Sequence, residues 1–156
     1  MPKEWEQQAK KLIKSITNHS NKQVKPFEPH DFKDYPELTN NQLVLHGHAS
    51  PHKQHLNDFD GVCVQVHDGD TIKVQWQERN FPTKIRFINF AAAEIGEGGE
   101  KSRDWLRERL LNKWVTVKLN PKKRTGKYGR ILGQIFVNGQ DVAYESAMYG
   151  NGEVIE

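Results

Sequence analysis

The alternation of apolar and polar positions in the C-terminal part of the chain predicts a sheet of short strands. The run "GVCVQVHDGDTIKVQW" alternates on both sides of Asp-Gly, a dipeptide typical of a tight hairpin turn. The runs "FPTKIRFINF", "WVTVKL" and "RILGQIFV" alternate in the same way. In "FPTKIRFINF" a period of two places Arg86 and Phe90 on one face, opposite Ile85. These patterns predict five strands.

Helical spacing interrupts the strand pattern twice. Leucines four residues apart predict a helix from about Glu100 to Asn112. Asp141 is a typical N-cap for a last helix that runs to about Met148, and Gly150 is positioned to end it. The order is therefore three strands, a helix, two strands and a helix. We expect a mainly β fold with helices, built on a five-stranded barrel of the OB type.

The N-terminal third has a different pattern. In residues 1–18, apolar positions from Trp5 to Ile16 recur at helical spacing, which predicts an amphipathic helix. Residues 19–58 are polar and contain four prolines, which predicts an extended arm that is ordered only where it packs on something. Residues 59–156 form the predicted barrel domain.

Charge is unevenly distributed along the chain. The formal net charge is +3, and all seven arginines follow residue 60. The segment from Lys118 to Arg130 has six basic residues and no acid. Such a run either attracts polyanions or is a solvated loop face. Cys63 is the single cysteine and lies in an apolar run, so we expect a small buried residue and no internal disulfide.

The N-terminus has no apolar segment of the kind found in signal peptides. No apolar stretch approaches the ~20 residues that a membrane-spanning helix needs. We therefore expect a protein without a membrane partner, located inside the cell or in a particle assembled there. Four histidines between residues 46 and 55 lack a cysteine or carboxylate to complete a metal site, and a polar surface loop is the predicted state of this segment. They are His46, His48, His52 and His55.

Three short motifs contain side chains suited to phosphate chemistry. Their candidate residues are Asp68 and Asp70 in "HDGDT", Arg86 and Glu94 around the third strand, and Lys127, Tyr128 and Arg130 in "KYGR". Carboxylates bind hard cations through oxygen, and arginines bind phosphate through paired hydrogen bonds. A metal ion, a base and two arginines are sufficient for phosphodiester hydrolysis.

Residues 61 to about 154 resemble the staphylococcal nuclease (thermonuclease) family of OB-fold phosphodiesterases. The resemblance rests on "DGDT", "IRFINFAAAE", "GEKSRDWLRERLLNKWVTV", "GKYGR" and "NGQDVAYESAMYGNGEV", which occur in the family's order. It implies that Asp70 is a metal ligand; Asp68, in the same motif, is a second candidate ligand. It also implies that Arg86 and Arg130 hold the phosphate and that Glu94 is the general base.

The resemblance further implies that Lys127 and Tyr128 lie beside a bound nucleotide. The sequence departs from the family at Ala91, where the family has a second aspartate that binds the metal. A methyl group cannot coordinate a cation, so the resemblance implies a weakened metal site. The chain also stops about where the family places its final helix.

Two functions remain open at this point. The first is a metal-dependent nuclease acting on DNA or RNA, with Ca²⁺ as the expected ion. The second is an inactive nuclease-like barrel that binds or assembles, for example in a phage particle or a nucleoprotein complex, and needs no cofactor. In either case residues 1–58 are expected to cover the barrel or to contact another subunit.

Overall fold

The computed structural model describes residues 29–94, 96–126 and 130–155, together with Gln8. The predicted amphipathic helix over 1–18 lies outside the described residues except at Gln8, as does the start of the arm. The helices and strands of the described part are α1 (Asn40–His46), a 3-10 turn (Gly47–Ala49), β1 (Phe59–Asp68), β2 (Thr71–Trp76), β3 (Thr83–Phe87), β4 (Phe90–Ala92), α2 (Gly99–Leu110), β5 (Trp114–Lys118), β6 (Ile131–Val137), β7 (Gln140–Asp141), α3 (Val142–Met148) and β8 (Gly152–Val154).

Five strands close into a barrel. Antiparallel pairing runs in the order β3-β2-β1-β5-β6, and a parallel pairing of β3 with β6 closes the ring. β7 extends the sheet beyond β6, and β4 forms a separate ribbon with β8. The predicted mainly β fold, a five-stranded OB-like barrel with helices, is confirmed.

The barrel interior is filled by the apolar residues of alternating strand positions, as a period of two requires. On β6 every second residue from Ile131 to Val137 is buried. Cys63 is fully buried on β1, as predicted, and burial raises the pKa of its thiol to about 11. Burial thus keeps this cysteine a neutral thiol in the core.

The third predicted strand is broken in the structure. β3 ends at Phe87, the Ile88 N–H donates to the Gly133 carbonyl at 3.0 Å, and the chain restarts as β4 at Phe90. Phe90 is fully buried, so the expectation that it shares the face of Arg86 was wrong. After the break, β4 lies beside the turn between β1 and β2, where Ala92 contacts Asp70.

That turn is packed tightly against its neighbours. A Cβ added to Gly69 would overlap Ser102 Oγ on α2 and the methyl group of Ala92 on β4. Only glycine therefore fits between the two aspartates of the turn. At the other end of the chain, Asp141 caps α3 by accepting a hydrogen bond from Ala143 N–H at 2.9 Å, as predicted.

The described part of the arm contains regular structure. Thr39 begins α1 with a capping box: its hydroxyl accepts from Gln42 N–H, and the Gln42 side chain accepts from Thr39 N–H. Leu38, immediately before this cap, is fully buried. The arm is thus extended only in part, and it contributes a buried residue to the folded unit.

Candidate functional site

Asp70 is the centre of a compact set of contacts at one end of the barrel. Thr71 Oγ1 donates to its Oδ1 at 3.1 Å, and Ala92 N–H donates to its Oδ2 at 3.2 Å. Its own N–H donates to Asp68 Oδ1 at 3.0 Å. The hairpin turn and β4 therefore fix the orientation of this carboxylate.

The two aspartates of the turn titrate differently because their surroundings differ. Burial raises the pKa of the Asp70 carboxyl, and its hydrogen bond with Asp68 adds to this effect. Burial also acts to raise the pKa of Asp68, but the hydrogen bonds that it receives from Asp70 prevail and lower it. The two carboxylates titrate as a coupled pair, and any cation that binds them competes with protons.

Arg86 lies next to Asp70, as the sequence motifs imply. Antiparallel pairing of β2 with β3 places Thr71 opposite Arg86, and Arg86 Nη2 lies 3.6 Å from Asp70 Oδ2. The Arg86 side chain is 43% exposed. One side of its guanidinium group can therefore meet an external anion while the other side faces the carboxylate.

Ala91 lies beside this contact, one residue before the amide that binds Asp70. On β4 its neighbours Phe90 and Ala92 pack on the core, so Ala91 projects to the opposite side. Its cross-strand partner there is the exposed Glu153 of β8. A carboxylate from a different strand therefore stands opposite the position where the resemblance implies a lost ligand.

Glu94 follows β4 in the loop before α2. Its carbonyl accepts hydrogen bonds from Glu97 N–H and Gly99 N–H, both at 2.9 Å, which fixes its backbone. Its side chain is exposed and forms no hydrogen bond or ion pair with any residue that the structure describes. The carboxylate is thus accessible to water.

Arg130 precedes β6 and is half-buried. Because Ile85 pairs with Ile131 in parallel, Arg130 and Lys84 hold equivalent positions just before the paired, inward-facing isoleucines. Lys84, Arg86 and Arg130 therefore project from the outer face of the β3–β6 wall. Lys127 and Tyr128, the two other candidates from "KYGR", lie outside the described residues.

A buried cluster of charged residues, which sequence patterns did not indicate, joins the arm to the barrel. We call it the arm-anchoring cluster; it consists of Glu37, His55, Arg79 and Arg124. Glu37 forms ion pairs with Arg79 and, at 3.5 Å, with Arg124. Arg124 was assigned by sequence to an exposed or polyanion-binding run, and this was wrong, because its side chain is only 2% exposed.

Arg124 donates to the arm at several points. Its Nε donates to the His55 carbonyl at 2.7 Å, and its Nη1 donates to the Leu38 carbonyl at 2.9 Å and to Asn40 Oδ1 at 3.0 Å. A planar guanidinium with five donors is suited to this task. The arm is therefore held by main-chain contacts as well as by charge.

The prediction of a polar surface loop is wrong for His55. Its ring is buried, stacks on Phe59 with centroids 4.0 Å apart, and forms a 2.8 Å hydrogen bond with Thr83 Oγ1. Burial, together with Arg79 and Arg124, lowers the pKa of His55 to about 3. The imidazole is therefore neutral at physiological pH.

Glu37 is subject to opposing influences. Burial raises the pKa of its carboxyl, and the guanidinium groups of Arg79 and Arg124 act against this rise. Burial likewise lowers the pKa of Arg124, against the influence of Glu37. Both shifts reflect the cost of removing charges from water, so either partner left alone would destabilise the folded state.

Among the helices that the structure describes, none is both long and apolar enough to cross a membrane. No protein-family profile matches the sequence. The chain is similar to a protein named ParB from Escherichia coli, with 33% identity over 82 residues. The match covers 52% of this chain and 44% of that relative, so the chain corresponds to less than half of the ParB protein's length.

Proposed function

We propose that the barrel binds nucleic acid through its phosphates and hydrolyses phosphodiester bonds, using a weakly held divalent ion. The observation that carries the proposal is the contact between the Asp70 carboxylate and the Arg86 guanidinium, 3.6 Å apart at the rim of the barrel. A cation ligand and a phosphate ligand then adjoin each other, which hydrolysis of a phosphodiester requires. The resemblance to staphylococcal nuclease supports the same assignment.

The cations of the β3–β6 wall would bind the phosphates. Arg86 and Arg130 lie on the outer face of neighbouring strands, and Lys84 lies two residues before Arg86, level with Arg130. An arginine that is half-exposed keeps donors for a phosphate oxygen, and such charge-assisted bonds are stronger than neutral ones. In this role the arginines hold the phosphate and stabilise the negative charge that grows on it.

Glu94 is our candidate for the general base. It is the exposed carboxylate that follows β4, and it has no partner within the described part of the chain. A base must be able to accept a proton from water, and a carboxylate already engaged in an ion pair does this poorly. Glu94 would take the proton from the attacking water.

The carboxylates at the Asp70 turn fit a Mg²⁺ or Mn²⁺ site better than a Ca²⁺ site. Asp70 and Asp68 supply carboxylate oxygens, but the described residues contain no group of three or more acidic, histidine or cysteine side chains suited to a metal. Ca²⁺ takes about 6–8 oxygen ligands, whereas Mg²⁺ retains several waters and needs only about one or two carboxylates together with a substrate phosphate. We therefore favour Mg²⁺ or Mn²⁺ over the Ca²⁺ that the resemblance implies. A bound ion would neutralise phosphate charge and lower the pKa of a coordinated water.

Ala91 favours a second candidate function. With a methyl group on the outward side of β4, the site lacks the acidic group that the nuclease family has there. An inactive barrel that binds nucleic acid or assembles into a particle would keep the cations and need no metal. The two candidates share phosphate binding and differ in turnover.

A cleavage assay separates them. Labelled single-stranded and double-stranded DNA, and RNA, are incubated with millimolar Ca²⁺, Mg²⁺ or Mn²⁺, with EDTA as the control. We expect cleavage that requires the metal and falls by ~100-fold or more in Arg86→Ala. Arg107→Ala, which removes an exposed arginine of α2, is the matched control and should cleave normally. Binding without cleavage under every metal condition would leave the second candidate in place.

A further inference from the structure

A small cavity lies between the arm and the barrel wall, next to Arg130. Its volume is 190 Å³. The arm forms one side with Asp34, Tyr35 and Pro36, and the barrel forms the other with Lys84 and Arg130. The volume is below the ~300–1,000 Å³ of sites for drug-sized ligands, and it suits a single planar ring.

Tyr35 presents an aromatic ring at this cavity while its backbone is held. Its N–H donates to the Asp31 carbonyl at 3.1 Å, and its own carbonyl forms a 2.8 Å hydrogen bond with His30 Nε2. The adjacent Glu37 and Leu38 are buried. Nevertheless, 44% of Tyr35 is exposed. A large aromatic side chain held in this way is available for stacking by an external ring.

The cavity has an excess of positive charge. Lys84, Arg130 and Arg79 line it, against Asp34 and Glu37. Glu37 is already paired with Arg79. The remaining pair of cations therefore outweighs Asp34, and a phosphate group is attracted to this end of the cavity.

Arg79 is a buried residue of the cavity wall. Its side chain is 2% exposed and lines the cavity, and its Nε–H has no hydrogen-bond acceptor among the described residues. Buried donors of this kind are nearly always satisfied. Because this atom is buried, it lies out of reach of a ligand in the cavity, and the role of Arg79 at the cavity is to neutralise Glu37.

From these contacts we infer that the cavity binds one nucleotide of a single-stranded nucleic acid. The base stacks on Tyr35, and its phosphate lies on Arg130 and Lys84. The inference rests on the proposed function, because it extends the same phosphate-binding surface by one position. A single strand is required because a base within a duplex has no free face to stack on the tyrosine.

The test measures binding in EDTA, where hydrolysis does not interfere. A fluorescein-labelled octathymidylate is titrated with full-length protein and followed by anisotropy at fixed salt. Tyr35→Ala should weaken binding by roughly 5- to 150-fold, the range for loss of one stacked base, and Tyr35→Trp should restore it. Tyr144→Ala is the matched control, because Tyr144 is 50% exposed on α3, far along the chain from the arm.

A second probe separates the base from the phosphate. Pyrophosphate competition should be unchanged in Tyr35→Ala and weakened in Arg130→Ala. Normal oligonucleotide binding by Tyr35→Ala, with weakened binding by Arg86→Ala, would overturn the inference and leave the proposed function standing. Binding that depends on Tyr35 without cleavage in any metal would support the inference and remove the hydrolytic role. No binding of the oligonucleotide by the wild-type protein would overturn both.

Discussion

Substitution of Arg124 by alanine should separate the arm from the barrel. The change removes the hydrogen bonds to the carbonyls of Leu38 and His55, at 2.9 and 2.7 Å, and the ion pair with Glu37. It also leaves the buried Glu37 carboxylate paired with Arg79 alone. Removal of one partner from a buried ion pair costs about 3–5 kcal/mol.

We therefore expect Arg124→Ala to lower the free energy of unfolding by about 3–5 kcal/mol. This is a large part of the ~5–15 kcal/mol that stabilises a typical domain. At roughly 2–4 °C per kcal/mol for a chain of this size, the melting temperature should fall by roughly 6–20 °C. Urea denaturation measures the first quantity, and calorimetry measures the second.

Arg107→Ala is the control, because its guanidinium is 48% exposed and lies 3.7 Å from Asp104. An exposed pair of this kind contributes about 0–1 kcal/mol. Limited proteolysis should also cleave Arg124→Ala between residues 38 and 55 faster than it cleaves the control. If the two variants unfold at the same urea concentration and are cut at the same rate, the arm is not anchored by this cluster, and the reasoning fails.

Three other outcomes can be measured. The pKa of His55 is ~6.5 in the unfolded chain and about 3 in the folded protein, so between these values the folded protein binds fewer protons. The stabilising effect of neutral His55 should therefore be complete above about pH 6.5 and decline toward pH 3. His55→Gln should flatten this part of a plot of urea midpoint against pH. In EDTA, Ala91→Asp should lower the free energy of unfolding by ~0.2–1 kcal/mol, because the new carboxylate faces Glu153, and Mg²⁺ or Ca²⁺ should restore that stability. Ala91→Asn should show no metal response. Thermal melts in which the two variants respond equally to metal would refute a metal site there. Asp70→Asn should abolish metal-dependent cleavage while retaining oligonucleotide binding in EDTA, and unchanged cleavage would exclude Asp70 as a ligand.

The strands could be predicted because their signal is local. Each one alternates over five or more residues, and the Asp-Gly turn joins the first two. The end of β3 was missed because the residues from Phe87 to Phe90 are apolar except for Asn89, and such a run looks like a continuous strand. A hydrogen bond from Ile88 to Gly133, 45 residues further along the chain, decides the break, and no local pattern contains that information.

The arm-anchoring cluster could not be predicted for a related reason. Glu37 and Arg124 are 87 residues apart, and in sequence each looks like an ordinary surface charge. Burial of charged residues is unfavourable unless each one finds its partners, so composition predicts them on the surface. The prolines of the arm predict an extended segment, whereas Glu37 and the main-chain carbonyls of Leu38 and His55 attach the arm to the barrel.

β3 links the two sets of charged residues. Thr83 at its start hydrogen-bonds to His55 and accepts from Arg79, so it belongs to the surroundings of the arm-anchoring cluster. Three residues later, Arg86 contacts Asp70. The same strand therefore contacts the arm-anchoring cluster at its start and carries the candidate phosphate ligand near its end. Since a strand in a closed barrel cannot shift by one residue without turning its side chains to the wrong face, an anchored arm and a fixed Arg86 depend on one register.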